Sequence, residues 1–326
     1  MGSASAGNDQ GKDDRSMAEV LNGYEIEKPF QNRDAGFSRW TTGRKNGNRY
    51  FLKEFLDPVW PAGTGLREDL RRDAISVCRA YEDKWKRIYA SANAFSDGTL
   101  VRTEEFFRRD SRYYIATEYV KGVDITIEEI AGLPGDVRRL LLLTAARGIE
   151  QLHTAGIVHA DIKFSNLILQ KTEAGYLRAR LIDLGAAFFE NEPPAGEDEI
   201  GGDQVYMAPE TCRFLFGEKV ELTCAIDVFA AGLLFHQLYT GRLPGFDRKE
   251  CDYPHEAVLD GQELQVDPDI PAALAAVIRD MLAGDPAARP AMSRVCTSVR
   301  SCIEDLGDRR PRPQNAAPAF RAAEDL

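Results

Sequence analysis

Thirteen residues, Ile157 to Leu169, constrain this chain more than any other stretch: Ile-Val-His-Ala-Asp-Ile-Lys-Phe-Ser-Asn-Leu-Ile-Leu. Strand-forming apolar residues flank Asp161, Lys163 and Asn166, so a carboxylate, an amine and an amide sit at spacings of two and three inside a run that otherwise suits a core. Charged groups in such a setting are costly unless they are paired or used. Downstream, Leu181-Ile182-Asp183-Leu184-Gly185 is an apolar strand ending in a second carboxylate and a glycine.

Phosphoryl transfer needs this set of groups. One carboxylate orients the attacking hydroxyl, a cation offsets charge on the transferred group, and Asp and Asn oxygens hold Mg²⁺ against the phosphates. At this point the sequence resembles the protein-kinase superfamily, from about residue 22 to about residue 305. His159-Ala160-Asp161 with Asn166 resembles the catalytic loop, and Asp183-Leu184-Gly185 the metal-binding D-F-G motif. Ala208-Pro209-Glu210 resembles the A-P-E motif that closes the activation segment. Asp227 and Gly232 fall where the large lobe's buried helix carries an Asp and a Gly. Arg289 matches the arginine that pairs with the A-P-E glutamate, here Glu210.

The resemblance implies a fold and a set of roles. The fold is α+β and bilobal, a small strand-rich N-lobe with one long helix and a larger, mainly helical C-lobe. The boundaries implied are a disordered tail over 1–21, N-lobe 22–117, hinge 118–122, C-lobe 123–306 and a second disordered tail over 307–326. Asp161 is the implied catalytic base and Lys163 the cation on the γ-phosphate, a Ser/Thr-kinase pattern. Asn166 and Asp183 would hold Mg²⁺. Lys53 would grip the α- and β-phosphates of ATP, held by a helix glutamate that is Glu82, with Glu68 the alternative. Thr117 matches the gatekeeper, Glu118 and Val120 the adenine-contacting hinge, Asp124 the ribose contact, Ile168 the adenine floor and Gly36 the surviving glycine of the phosphate loop. His159 and Gly185 are structural members of their motifs.

The chain departs from the family pattern at five places. Gln31 to Gly36 retains one glycine where the phosphate loop has three, which weakens close backbone approach to phosphate. Phe51 stands where a small residue roofs the adenine, so it must narrow the pocket or point elsewhere. Ala160 replaces the arginine that receives an activation-segment phosphate. Residues 184–209 contain no Ser or Thr, and Tyr206 bears their one hydroxyl. Asp203 replaces a threonine that bridges the catalytic Asp and Lys, so its carboxylate either pairs with Lys163 or repels Asp161. Ser/Thr phosphorylation of this segment is therefore not expected to switch the protein. Two other readings stay open: a pseudokinase acting as a binding or scaffolding module, and a kinase-fold enzyme with a non-protein acceptor.

Local periodicity supplies the rest. Arg49 to Leu56 reads as a strand after an Asn46-Gly47 turn, and 66–92 as one long helix. Residues 135–154, 225–240, 271–283 and 291–305 also read as helices. The net charge of −11 argues against nucleic acid and anionic membranes as partners. Residues 184–209 carry six carboxylates and no Lys or Arg, which suggests a protein substrate presenting basic segments. The expected source of any control is a separate regulatory protein or the tails. No uncharged apolar run is long enough to span a bilayer. The six cysteines form no C-x-x-C pair and no zinc spacing, the pattern of reduced thiols in a cytoplasmic protein.

Overall fold

The computed structural model describes residues 19–32, 38–63, 65, 67–196, 199–304 and 321–322. Two units emerge, one of residues up to 79 with 104–119, the other of 80–103 with everything from 120 onward.

The first unit is built on a six-stranded sheet in the order β1-β2-β3-β4-β6-β5. Its strands are β1 (Val20–Leu21), β2 (Tyr24–Ile26), β3 (Ser38–Lys45), β4 (Asn48–Phe55), β5 (Thr103–Arg109) and β6 (Arg112–Glu118). The sheet takes in Val20 and Leu21, which the sequence assigns to a tail. Asn46 and Gly47 join β3 to β4, with φ of 53° and 81°. A two-residue hairpin turn requires positive φ at both positions, and Asn-Gly supplies it at low cost. Along β4 the period of two sorts the side chains. Tyr50 and Leu52 face an aromatic core with Tyr24 and Tyr114, where Tyr24 meets Tyr50 edge-on at 5.3 Å. Phe51, Lys53 and Phe55 therefore point to the opposite face. Buried Glu54 is satisfied by Arg39 at 2.7 Å and the Tyr114 hydroxyl at 3.1 Å.

The helix α1 (Glu68–Phe95) begins with Glu68 and Asp69, which suit its positive N-terminal end. Cys78, Trp85, Ile88, Tyr89 and Ala92 are its buried positions. Its last part, from Ala80, belongs to the second unit.

The second unit contains β7 (Val123–Asp124), α2 (Ile127–Ala131), α3 (Gly135–Thr154), β8 (Ile157–Val158), β9 (Leu167–Lys171), β10 (Leu177–Leu181) and β11 (Phe188–Phe189). It continues with α4 (Pro209–Leu215), α5 (Ala225–Thr240), α6 (Pro254–Leu259), α7 (Ala272–Met281), α8 (Met292–Glu304) and β12 (Arg321–Ala322). Helix α5 is apolar on every side and buried from Ile226 to Phe235, as a helix at the centre of a core must be. It stops at Gly241, whose φ of 81° provides a left-handed cap. Helix α3 packs against α5, α8 and β10, burying Leu141, Leu142, Ala145, Ile149 and Leu152.

The long helices lie close to where periodicity predicts them. Helices α2, α4 and α6 were not predicted, because five to seven residues hold too few turns to show a period. Their signals are local: a Thr126–Glu129 capping box opens α2, and proline stands at the start of α4 and α6. Of the predicted tails, 1–18, 307–320 and 323–326 lie outside the described residues; Arg321 and Ala322 pair with Asp124 and Val123.

Candidate active site

The loop after β8 is shaped by a carboxylate from far along the chain. Asp227, in the first turn of α5 and 1% exposed, accepts the backbone N–H of His159 at 2.7 Å and of Ala160 at 2.9 Å. The imidazole Nε2 of His153 donates to the same carboxylate at 2.9 Å. Charge-assisted bonds of this kind are roughly twice as strong as neutral ones. They hold Ala160 at φ 62°, a left-handed conformation that costs a residue with a Cβ about 1–2 kcal/mol. His159 is fully buried. Its Nδ1 accepts the Asp161 N–H at 3.2 Å, which assigns the proton to Nε2, the donor to Ile182 O at 3.0 Å.

Asp161 is thereby presented to two neighbours. Its Oδ2 accepts Lys163 Nζ at 3.0 Å and Asn166 Nδ2 at 2.8 Å. Asn166 Nδ2 also donates to the Asp161 carbonyl at 2.7 Å, so the amide oxygen of Asn166 faces away from Asp161. The second carboxylate oxygen, Asp161 Oδ1, is buried and has no hydrogen-bond partner among the described residues. A buried, unmatched acceptor is expensive, and a hydroxyl donor from outside the chain would satisfy it. Asp161 lines a crevice with Gly202, Asp203, Tyr206 and Thr211.

Asp183 follows β10. The Asn166 carbonyl accepts the Ile182 N–H at 3.0 Å, which ties the two motifs together. Asp183 is exposed, has φ 58°, and accepts the Gly185 N–H at 3.1 Å. The Asn166 amide oxygen and the Asp183 carboxylate are hard oxygen donors of the type Mg²⁺ takes when phosphates and water complete its shell. Among the described residues no group of three or more His, Cys, Asp and Glu is arranged to hold a metal ion by itself.

The first of the two alternatives at Asp203, a pair with Lys163, is not what forms. Asp203 Oδ1 accepts the Val205 N–H at 2.9 Å and caps the turn 204–206, while Lys163 is paired with Asp161. Beside it Tyr206 donates to Gln237 Oε1, and burial, then the Asp203 charge, pushes its phenol up to about 12. Close packing holds Gly202 in place: a Cβ there would stand 2.9 Å from the Ala160 carbonyl, and its φ is 127°. Glu210, in α4, and Arg289 form a two-pronged buried ion pair of 2.6 and 2.9 Å.

In the first unit Lys53 lies on β4 opposite Trp40 and Ile115, and Phe51 opposite Thr117. The Phe51 ring stacks on Trp40 with centroids 5.5 Å apart and planes 25° from parallel. Phe51 therefore shares the Lys53 face of the sheet and leans on a second aromatic. Trp40 was missed at the sequence level, although cross-strand pairing with Lys53 was available once the hairpin register was known. Glu118 lies opposite Tyr50 on β6. In the second unit Glu82, on α1, accepts Lys86 Nζ at 3.3 Å. Val120 precedes β7, where Asp124 is exposed. Ile168, on β9, packs against the backbone at Gly122, whose added Cβ would lie 3.2 Å from Ile168 Cγ2. Gly36 lies outside the described residues.

A family model described as the protein kinase domain matches residues 85–299. The chain is 26% identical to the serine/threonine-protein kinase PkaA of Streptomyces coelicolor over 74% of its own length and 43% of that protein. It is 28% identical to the RasGEF domain-containing serine/threonine-protein kinase X of Dictyostelium discoideum over 60% of this chain and 20% of that one. With human serine/threonine-protein kinase DCLK3 the identity is 29%, covering 49% and 24%. The chain thus spans less than half the length of each of these relatives.

Proposed function

The chain belongs to the protein kinase family, and on that premise we propose that it transfers the γ-phosphate of ATP, with Mg²⁺, to Ser or Thr hydroxyls of protein substrates. The observation that carries the reading is Asp161, with one carboxylate oxygen held by Lys163 and Asn166 and the other buried and unmatched. An acceptor hydroxyl donating to Oδ1 is oriented for in-line attack, which is the main service such a carboxylate performs. Lys163 is close enough to Asp161 to serve the same reacting group as a cation. Asn166 and Asp183 would hold Mg²⁺ through their side-chain oxygens, and the ion would supply neutralisation of the phosphate charge. Lys53 is the proposed phosphate-binding lysine, Glu82 its helix partner, and Thr117, Glu118, Val120, Asp124 and Ile168 the nucleotide contacts. The names of the relatives support Ser/Thr acceptors.

The charge of 184–209 supports basic substrate segments less strongly than composition alone suggests. Asp203 caps a turn, Glu190 accepts the Cys224 N–H at 2.8 Å, and Glu192 is paired with Arg87. No disulfide joins any of the six cysteines among the described residues, which supports a reducing compartment such as the cytoplasm. Among the described residues no helix is long and apolar enough to cross a membrane.

A second reading, a pseudokinase that binds without catalysis, is favoured by the Trp40–Phe51 stack on the Lys53 face. Phosphorylation of a peptide library with Mg-ATP separates the two. The enzyme reading expects incorporation by the wild type that disappears in Asp161→Ala. Equal incorporation by both proteins, or none by the wild type, overturns it.

A further inference from the structure

Between β11 and α4 the chain carries its densest run of acid, and three of its described carboxylates have identifiable partners. Glu190 and Asp203 hold backbone N–H groups. Glu192 does something different: it takes a forked contact from Arg87 of α1, with Nη1 donating to Oε2 at 3.0 Å and Nη2 to Oε1 at 2.8 Å. The same guanidinium lies 4.7 Å from the centroid of Phe189, and the Glu192 N–H donates to the Phe189 carbonyl at 2.8 Å. Lys84 stands three residues earlier on the same helix face. Burial lowers its pKa, and the charges of Glu199 and Glu192 oppose that shift. Arg87 thus meets Glu192 directly, and Lys84 adds a second positive charge on the same helix face.

We propose that Arg87 and Glu192 are positioning residues that hold segment 184–209 against α1 permanently, replacing a phosphate-dependent anchor. The proposal rests on the kinase reading above for its consequence in catalysis, but not for the anchoring itself. Three observations converge on it. The segment has no Ser or Thr to phosphorylate. The hydroxyl of Tyr206 is engaged with Gln237. The residue before Asp161 is Ala160, so the loop beside the crevice offers no guanidinium to receive a phosphate. A carboxylate meets a guanidinium with the same two-pronged geometry that a phosphate does, with less charge but without a modifying enzyme. An isolated exposed pair has little effect; here the fork, the ring of Phe189 and Lys84 act together on one short segment.

The test is a charge exchange read two ways. Arg87→Glu, Glu192→Arg and the double variant are compared by amide hydrogen exchange over residues 186–196 and by peptide phosphorylation. Each single variant is expected to accelerate exchange and lower kcat by about three- to tenfold, the span expected when a forked pair and a cation–π contact are lost together. The KM for ATP should not move, and the double variant should recover both readouts. Phosphatase treatment of the wild type should change neither. Unaltered exchange in the single variants, failure of the double variant to recover, or loss of activity on phosphatase treatment overturns the proposal. If the wild type transfers no phosphate while exchange still follows the pair, the anchor stands and the kinase reading falls.

Discussion

Arg289 and Glu210 meet through two parallel contacts in a site where neither side chain reaches water, their exposures being 0% and 5%. Arg289 also donates to the carbonyls of Ala225 and Ala283 at 2.9 and 2.8 Å. This pair joins the end of segment 184–209 to the loop before α8, across 79 residues of sequence. Removing one member leaves the other charge buried and unmatched. Arg289→Met is expected to cost about 3–5 kcal/mol of stability, read by urea denaturation. Replacing both residues with apolar side chains should cost clearly less than the single change, since no orphaned charge remains.

Asp227 sets the backbone from which Asp161 projects. In Asp227→Asn the side chain keeps one acceptor oxygen, and its NH₂ must face an N–H donor. Loss of a charge-assisted bond and creation of an unmatched donor should destabilise the protein by about 2–4 kcal/mol. Left-handed Ala160 would lose its anchor, so kcat should fall more than KM rises. A variant with wild-type kcat and wild-type stability would show that the loop holds its shape without this carboxylate.

Asp203 caps a turn next to the crevice that Asp161 lines. Asp203→Thr keeps an oxygen that can accept the Val205 N–H and removes a negative charge. Turnover by the threonine variant is expected to be equal to or greater than wild type, since the charge near Asp161 is relieved. On the proposed kinase reading, Asp161→Asn removes the charge proposed to orient the acceptor and should lower kcat by roughly 10²–10⁴.

His236 gives a pH dependence of stability. The imidazole Nδ1 donates to the Arg242 carbonyl at 2.7 Å, and Nε2 accepts the Asp267 N–H at 3.0 Å. Both positions are used by the neutral ring, which is 1% exposed. Burial lowers its pKa below the ordinary 6.5; Arg242 acts in the same direction, while the bond to the Arg242 carbonyl and the Asp267 charge oppose. Burial likewise lowers His255. Below pH 6.5 the unfolded chain binds protons that the folded protein refuses, so stability falls with falling pH from 6.5 until the folded pKa is passed. Urea midpoints between pH 8 and 5.5 should decline below 6.5, and His236→Gln should flatten that decline. An equal slope in the variant would remove His236 from the explanation.

The long helices and the order of the site residues were legible because their signals are local. A period of three to four residues marks α3 and α5 whatever surrounds them. The motif spacing of Asp161, Lys163 and Asn166 puts an amine and an amide within reach of one carboxylate by chain geometry alone, and the structure has both on Oδ2. The hairpin joining β3 to β4 is equally local, since Asn46-Gly47 suits its turn.

Other features could not be read this way. Strand alternation puts Phe51 on the Lys53 face, but only the register of β3 against β4 set Trp40 beside it. Asp203 could pair with Lys163 or repel Asp161, and the turn at 204–206 gave it a different partner, the Val205 N–H. Glu192 looked like one acid in a solvated run until α1 brought Arg87 to it across 105 residues of sequence. By itself the sequence determined which chemical groups are present, which family they belong to and which segments coil or extend. The tertiary structure decided which carboxylate meets which donor. Each acid has several possible partners of similar intrinsic strength, and packing leaves one of them within about 3 Å, where a hydrogen bond forms.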